Sequence, residues 1–470
     1  MTDTKNALNP ALIAPLDGTP RYLTLADRIA AAVEDGRLAV GEQLPPVREL
    51  AWALGIGVGA VARAYRIGTS RGHLEATVGR GTFVRGVARP RYAIEALIDT
   101  AAPDNIDLRG NQAVDVGQDA DIGAALARIL DRHGGAPPLL GYRRREDDMD
   151  LIEILADWLR EGGVPADAER LLVTSGAQAG VIACLASLAR GGSGIVLATP
   201  TLHPGLIDGG RTIGVRFEAV SVDDEGPLPD AFEAAIERFR PDAAQFSATL
   251  HNPTLALMGP ERRRAIAEIA RRHSLPIVED DVYGRLIRPR PESFASLMPE
   301  LCWYVTSFSK CVAAGLRAGF ILTPPGRTTV TLRAYQAIAH QTPWIVKALA
   351  AELVRGGEAM AIEQRVIAET AERATLTARI LARHGVRTHV NASFAWLPLA
   401  EGWTAAEFVA TAADAGVLVP PPAIYSVTRG IQPFTRLAIG GRCTRSSLEE
   451  GLRRLERVLA EGPHPAEFAT

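Results

Sequence analysis

From about residue 106 onward the chain alternates short apolar, β-prone runs with helix-like stretches, and this alternation restricts the fold more than any other feature. The runs are Leu171–Val173, Gly194–Ala198, Ala243–Phe246, Pro276–Val278, Trp303–Val305 and Gly319–Leu322. Strands separated by helices predict an α/β domain with a mixed, mainly parallel sheet and helices on both faces. The last hundred residues read differently. They hold an amphipathic helix region, strand patterns near 387–390 and 394–397, and a final helix from about Ser447. We read 370–470 as a smaller C-terminal α/β lobe of a body spanning 106–470.

The N-terminal part has another rhythm. Residues 1–19 lack periodicity and read as a tail. Thr24 then precedes an apolar helical pattern (Leu25, Ile29, Ala32, Val33), and Gly36 follows it. A second short helix is predicted from Pro46 to Leu54, with Gly55 after its end, and a third from Val58 to about Ser70. Two β-prone runs between His73 and Val84 flank the turn Gly79–Arg80–Gly81. Three helices and a hairpin over 20–86 describe a winged helix-turn-helix, with 87–105 as a connecting segment. Charge supports this division. The whole chain carries a net charge of −3, yet residues 20–90 hold ten arginines and six acids. A basic module on an acidic body is expected to meet DNA locally rather than along its whole surface.

Other classes recede on composition. No apolar run of 18 residues suggests a membrane span, and MTDTKNALNP lacks the order of a secretory signal. Four widely spaced cysteines form no CxxC pair, so no metal site is expected and a reduced cytoplasmic protein fits. Lysine is nearly absent. Only Lys5, Lys310 and Lys347 occur among 51 basic residues, so each invites a reason.

Lys310 lies in Ser307–Phe–Ser–Lys310, followed by Gly315–Leu–Arg317, which resembles the lysine motif of fold-type I aminotransferases. That resemblance implies pyridoxal 5'-phosphate as cofactor, with Lys310 forming the Schiff base and Ser307, Ser309 and Arg317 on the phosphate. Glu279–Asp–Asp–Val–Tyr283 follows an apolar run, and the family spacing selects Asp280 for the pyridine nitrogen and Tyr283 for the ring oxygen. Strand alternation points Asp281 away. Asn252–Pro–Thr254 resembles the turn whose asparagine donates to the ring hydroxyl. Thr174–Ser–Gly–Ala–Gln178 lies where a strand meets a helix, and small residues there expose backbone N–H groups to an anion. By resemblance Ser175, Gly176, Ala177 and Gln178 cup the phosphate, Tyr142 reaches the partner subunit's phosphate, and Arg436 binds an effector carboxylate. Pro200–Thr–Leu–His–Pro204 departs from the family pattern, so either His203 or Leu202 covers the ring.

The head resembles GntR-type regulators in Gly41–Glu–Gln–Leu–Pro–Pro–Val–Arg–Glu–Leu–Ala51, Val61–Ala–Arg–Ala–Tyr65 and Gly79–Arg–Gly–Thr–Phe–Val84. A third helix in the major groove implies DNA contacts from Arg48, Val58, Arg63, Tyr65, Arg66 and Arg80. The start Gly57–Val–Gly–Ala60 departs from the polar or basic pair usual there. Head and body together resemble MocR-type regulators, which implies head-to-tail homodimers on double-stranded operator DNA. The expected function is sensing of a small amine or amino acid through an external aldimine at Lys310, without need of turnover. The alternative is a working aminotransferase with an accessory head.

Overall fold

The computed structural model describes residues 21–34, 38–39, 41–70, 73–77, 81–84, 97, 105–132, 139, 141–189, 194–427 and 434–463. The tail, Gly36, the turn with Arg80 and most of the connecting segment lie outside the described residues. The chain divides into two compact units, one containing the head together with residues 401–410 and one containing the rest of the body.

The head comprises α1 (Arg21–Glu34), α2 (Val47–Leu54), α3 (Val58–Ser70) and the hairpin of β1 (Leu74–Thr77) with β2 (Gly81–Val84). Apolar residues four apart on each helix, Leu25 with Ile29, Leu50 with Leu54 and Val61 with Tyr65, close one core with Leu74. Gly55, at φ 62°, ends α2 and turns the chain into α3. One expectation is corrected. Thr24 does not cap α1 but lies buried within it. The helix already includes Tyr22, whose ring lies 4.4 Å beneath the Arg63 guanidinium.

In the body, β3 (Ile106–Asp107), α4 (Gln118–Arg132) and α5 (Met149–Glu161) lead into an alternating run. It comprises β4 (Leu171–Thr174), α6 (Ala177–Leu188), β5 (Ile195–Ala198), α7 (Pro204–Thr212), β6 (Arg216–Ala219) and the short ribbon β7 (Val222–Asp223) and β8 (Gly226–Pro227). Next come α8 (Pro229–Phe239), β9 (Ala243–Phe246), α9 (Pro260–Arg272), β10 (Ile277–Asp280), β11 (Cys302–Ser307) and β12 (Gly319–Leu322). Then follow α10 (Thr328–Ala339), α11 (Trp344–Arg355), α12 (Glu358–Ile380), β13 (Phe394–Pro398), β14 (Val417–Leu418), β15 (Phe434–Ala438) and α13 (Arg445–Glu461).

Seven strands form one sheet in the order β4-β12-β11-β10-β9-β5-β6. Only β12 runs against its neighbours. Leu171, Phe246 and Phe320 pack on one face, and Leu172, Val196, Val278, Val305 and Ile321 on the other. Burial on both faces explains why these strands read as unbroken apolar runs. The edge strand β6 was not foreseen, because Arg-Phe-Glu-Ala mixes charge with apolar residues and stays partly exposed, as edges do. The strand expected near 387–390 reduces to one bridge, Arg387 with Trp396, and Val390 is exposed. Lacking a second pairing partner, it is not a strand. The final helix starts at Arg445, where the Thr444 hydroxyl accepts from the Ser447 N–H at 3.1 Å. No described helix is long and apolar enough to cross a membrane.

Since β4, β5, β9, β10 and β11 are mutually parallel, their carboxyl ends share one edge of the sheet. Asp280 closes one of those ends, and Ser175, His203, Asn252 and Lys310 follow the others. In α/β folds that edge is where ligands bind.

Candidate cofactor site

Lys310 stands three residues beyond β11, and its Nζ donates to the Asn111 carbonyl at 2.6 Å. Burial, then the nearby Arg436 charge, brings its pKa down from the usual amine range to about 7. A neutral amine, the nucleophilic form, is therefore available near neutral pH. Asp280 closes β10 on the neighbouring strand. Burial and Asp281 raise its carboxyl to about 7, while Lys310 pulls it back. Its Oδ1 is buried with no hydrogen-bond partner among the described residues, and so is Oδ1 of Asn252. Asp281 is engaged elsewhere, by Arg290 and by the Tyr304 hydroxyl at 3.0 Å.

Tyr283 is buried, and burial holds its phenol protonated well above the ordinary range. Its oxygen accepts from Asn111 Nδ2 at 2.6 Å, and Asn111 Oδ1 accepts from Ser393 Oγ at 2.7 Å. Asn111 and Ser393 escaped sequence reasoning, since neither lies in a periodic run or a motif.

At the start of α6, Gly176 has φ 94°, and a Cβ there would lie 2.4 Å from Arg317 Nη2. Glycine is required twice over, by conformation and by space. Arg317 Nη2 donates to the Ser175 carbonyl at 3.2 Å. Ala177 and Gln178 open the helix, Gln178 being exposed. Ser307 and Ser309 are buried, with the Ser309 N–H on Ser307 Oγ at 3.3 Å. Tyr335 of α10 was also missed. Its hydroxyl accepts from the Ser175 N–H at 2.9 Å and meets Thr342 Oγ1 at 2.7 Å. As one apolar-patterned helix residue among many it gave no signal.

Arg436 on β15 is buried and donates to the Arg109 carbonyl, while its Nε has no partner among the described residues. Its guanidinium lies 5.4 Å from the centre of the Tyr425 ring. His203 is partly accessible; burial, then the Lys310, Arg436 and Arg317 charges, pushes its pKa down to about 3. The ring is therefore neutral. Leu202 is buried, its N–H held by the Tyr425 carbonyl at 2.8 Å. Tyr142 is 83% exposed and lies edge-on to His340 at 4.7 Å.

Two supports position these groups. Arg263 of α9, fully buried, pairs with Glu279 at 3.2 Å and donates to the Ala248 and Met258 carbonyls and Thr249 Oγ1. It thus holds both ends of the loop carrying Asn252 and the residue before Asp280. His251 faces the Thr201 carbonyl through Nε2 at 3.0 Å and Thr254 through Nδ1 at 2.8 Å. A nitrogen facing a carbonyl must donate, so Nδ1 accepts, and burial lowers the ring to about 4. It ties the His203 loop to the Asn252 turn.

In the head, Arg48, Arg63 and Arg66 are exposed, and Val58 is half-exposed. Tyr65, expected on DNA, is instead a core residue whose hydroxyl donates to the Pro45 carbonyl at 2.7 Å. A buried phenol satisfied within the head has nothing left to offer a groove.

Residues 103–455 match the model described as "Aminotransferase class I and II". The chain belongs to that aminotransferase family. Residues 21–84 match "Bacterial regulatory proteins, gntR family", and the pairing is that of MocR-type regulators. Among relatives, the uncharacterized HTH-type transcriptional regulator YdeF of Bacillus subtilis is 26% identical, covering 94% of each chain. The probable rhizopine catabolism regulatory protein MocR of Rhizobium meliloti is 24% identical over 78% of each. Among solved structures, LysN, an α-aminoadipate aminotransferase of Thermus thermophilus complexed with N-(5'-phosphopyridoxyl)-L-leucine, superposes with a TM-score of 0.69 at 25% identity. It covers 79% of this chain and 95% of its own. Class I and II aminotransferases use pyridoxal phosphate. The aminotransferase body here suits that group: a buried Asp280 oxygen with no partner among the described residues close to the Lys310 amine, and a glycine cradle beside an arginine.

Proposed function

We propose that this chain is a cytoplasmic transcription regulator that binds pyridoxal phosphate in its body and senses a small amine or amino acid there. One observation carries the reading: Lys310, a half-buried amine held by the Asn111 carbonyl at 2.6 Å, follows the strand next to the one that ends in Asp280, whose buried Oδ1 has no partner among the described residues. When bound, the cofactor supplies an electrophilic carbon and an electron-withdrawing ring. The chain's residues do the rest. Lys310 offers its neutral amine, and Asp280 presents its carboxylate to the ring nitrogen. Asn252 and Tyr283 serve the ring oxygen. Ser175 and the amides of Gly176–Gln178, with Ser307, Ser309 and Arg317, hold the phosphate. His203, neutral and accessible, covers the ring, since Leu202 is already packed elsewhere. Arg436 takes the effector's carboxylate on its partnerless Nε. Exposure of Tyr142 suits a residue that serves the partner subunit in a head-to-tail dimer.

Arg48, Arg63 and Arg66 then grip operator DNA. The effector shifts a two-state equilibrium only as far as its affinity differs between the states. The test is visible absorption of the purified protein beside Lys310→Ala, titrated with candidate amines. A cofactor band in the parent alone, moved by one amine, supports the reading. No band after adding pyridoxal phosphate refutes it. The intact Lys310 and Asp280 pair also keeps a working aminotransferase in view, and steady turnover of an amino donor with a keto acid would select it.

A further inference from the structure

We propose that Asn111 is a positioning residue that fixes which way the Tyr283 hydroxyl points its proton. The inference rests on the reading that Tyr283 serves the cofactor's ring oxygen. Three directional facts carry it. Ser393 Oγ sits 2.7 Å from Asn111 Oδ1, so the serine hydroxyl donates and the amide oxygen accepts. That turns Asn111 Nδ2 towards Tyr283, 2.6 Å from its oxygen. An amide nitrogen can only donate, so the phenol accepts from Asn111 and its own proton must point elsewhere. Tyr283 is 2% exposed, so water does not compete for that proton. Its ring centre lies 6.0 Å from Lys310 Nζ, placing it beside the amine. The backbone of Asn111 also belongs to the site, because its carbonyl takes Lys310 Nζ at 2.6 Å. The relay Ser393, Asn111, Tyr283 thus runs one way; Ser393 also bears directly on the Tyr283 hydroxyl, so a ring oxygen takes the phenol's proton in competition with the Ser393 oxygen.

A donor on that oxygen favours the form in which the oxygen bears negative charge unshared with a protonated neighbouring nitrogen. The pH midpoint of the cofactor's visible band is therefore held down. Asn111→Asp reverses the relay: a carboxylate only accepts, and it draws the Tyr283 proton to itself. The experiment titrates the visible band of the full-length protein with pyridoxal phosphate for the parent, Asn111→Asp, Tyr283→Phe, the double variant and Ser393→Ala. Each of the first two single changes is expected to raise the midpoint by about one pH unit, one charged hydrogen bond's worth. The double variant is expected to move no further than Tyr283→Phe alone. Ser393→Ala, which adds no charge, shifts the midpoint the same way by less. An unmoved midpoint in Asn111→Asp with the band intact, or additive shifts in the double variant, overturns the relay, since a carboxylate acting by charge alone adds to Tyr283→Phe. An unmoved Tyr283→Phe overturns the role of Tyr283 itself, and absence of any band in the parent overturns the cofactor reading beneath both.

Discussion

Lys310 and Lys347 show how environment separates two residues of one type. Lys347 is buried in an ion pair with Asp148, which Arg143 also reaches at 2.6 Å; its role is in packing. Lys310 has no such partner, and burial with Arg436 nearby brings it to about 7. Below that value the ammonium dominates and cannot attack; above it the free amine does. The rate of cofactor uptake, followed by absorbance, should therefore rise about tenfold per pH unit below 7 and level off above it. Removing the second cause moves this midpoint: in Arg436→Met the lost positive charge lets the Lys310 pKa rise, so uptake at pH 7 slows. An unchanged profile would show that Arg436 does not act on Lys310. In the head, Tyr65→Phe deletes the bond to the Pro45 carbonyl and should cost about 1 kcal/mol by denaturant melting, with little effect on DNA affinity beyond that.

At the level of elements, the site depends on how closely strands and loops approach. A Cβ on Gly319 of β12 would lie 2.4 Å from the Gly176 carbonyl carbon and 2.6 Å from Thr174 Oγ1. The obstacle is backbone, which cannot swing aside. Gly319→Ala should cost about 1–3 kcal/mol in stability, as overpacking does, and weaken cofactor affinity by displacing the phosphate cup. The α9 arginine is a second such support. Arg263→Met leaves buried Glu279 unpaired, and breaking a buried pair costs about 3–5 kcal/mol. Burial, then the Asp281 charge, pushes Glu279 up to about 7 even with Arg263 present, so the loss should be larger above that pH than below it. Equal unfolding midpoints in parent and variant at pH 8 would refute this.

For the whole molecule, the proposed division of labour makes head and body separately addressable in the intact chain. Arg48→Ala, at an exposed position on α2, should weaken operator binding across sequences and lower the salt slope by about one. Lys310→Ala should leave effector-free operator affinity within about twofold while abolishing its response to the effector, read by fluorescence anisotropy. A response that survives Lys310→Ala would place sensing elsewhere.

Much of this organisation was legible in the chain itself. Periodicity told head from body, doubly buried strands announced themselves as apolar runs, and Lys310, Asp280 and Asn252 drew notice because the local motifs around them resemble those of the aminotransferase family. Small side chains at the α6 start likewise followed from the need to expose backbone amides. What tertiary structure decided were contacts between segments far apart in sequence. Asn111, Ser393 and Tyr283 meet across 282 residues, Tyr335 reaches Ser175 across 160, and Tyr65 turned out to be core because Pro45 lies beneath it. A hydrogen bond needs two ends brought together by the fold, and a local pattern records only one of them.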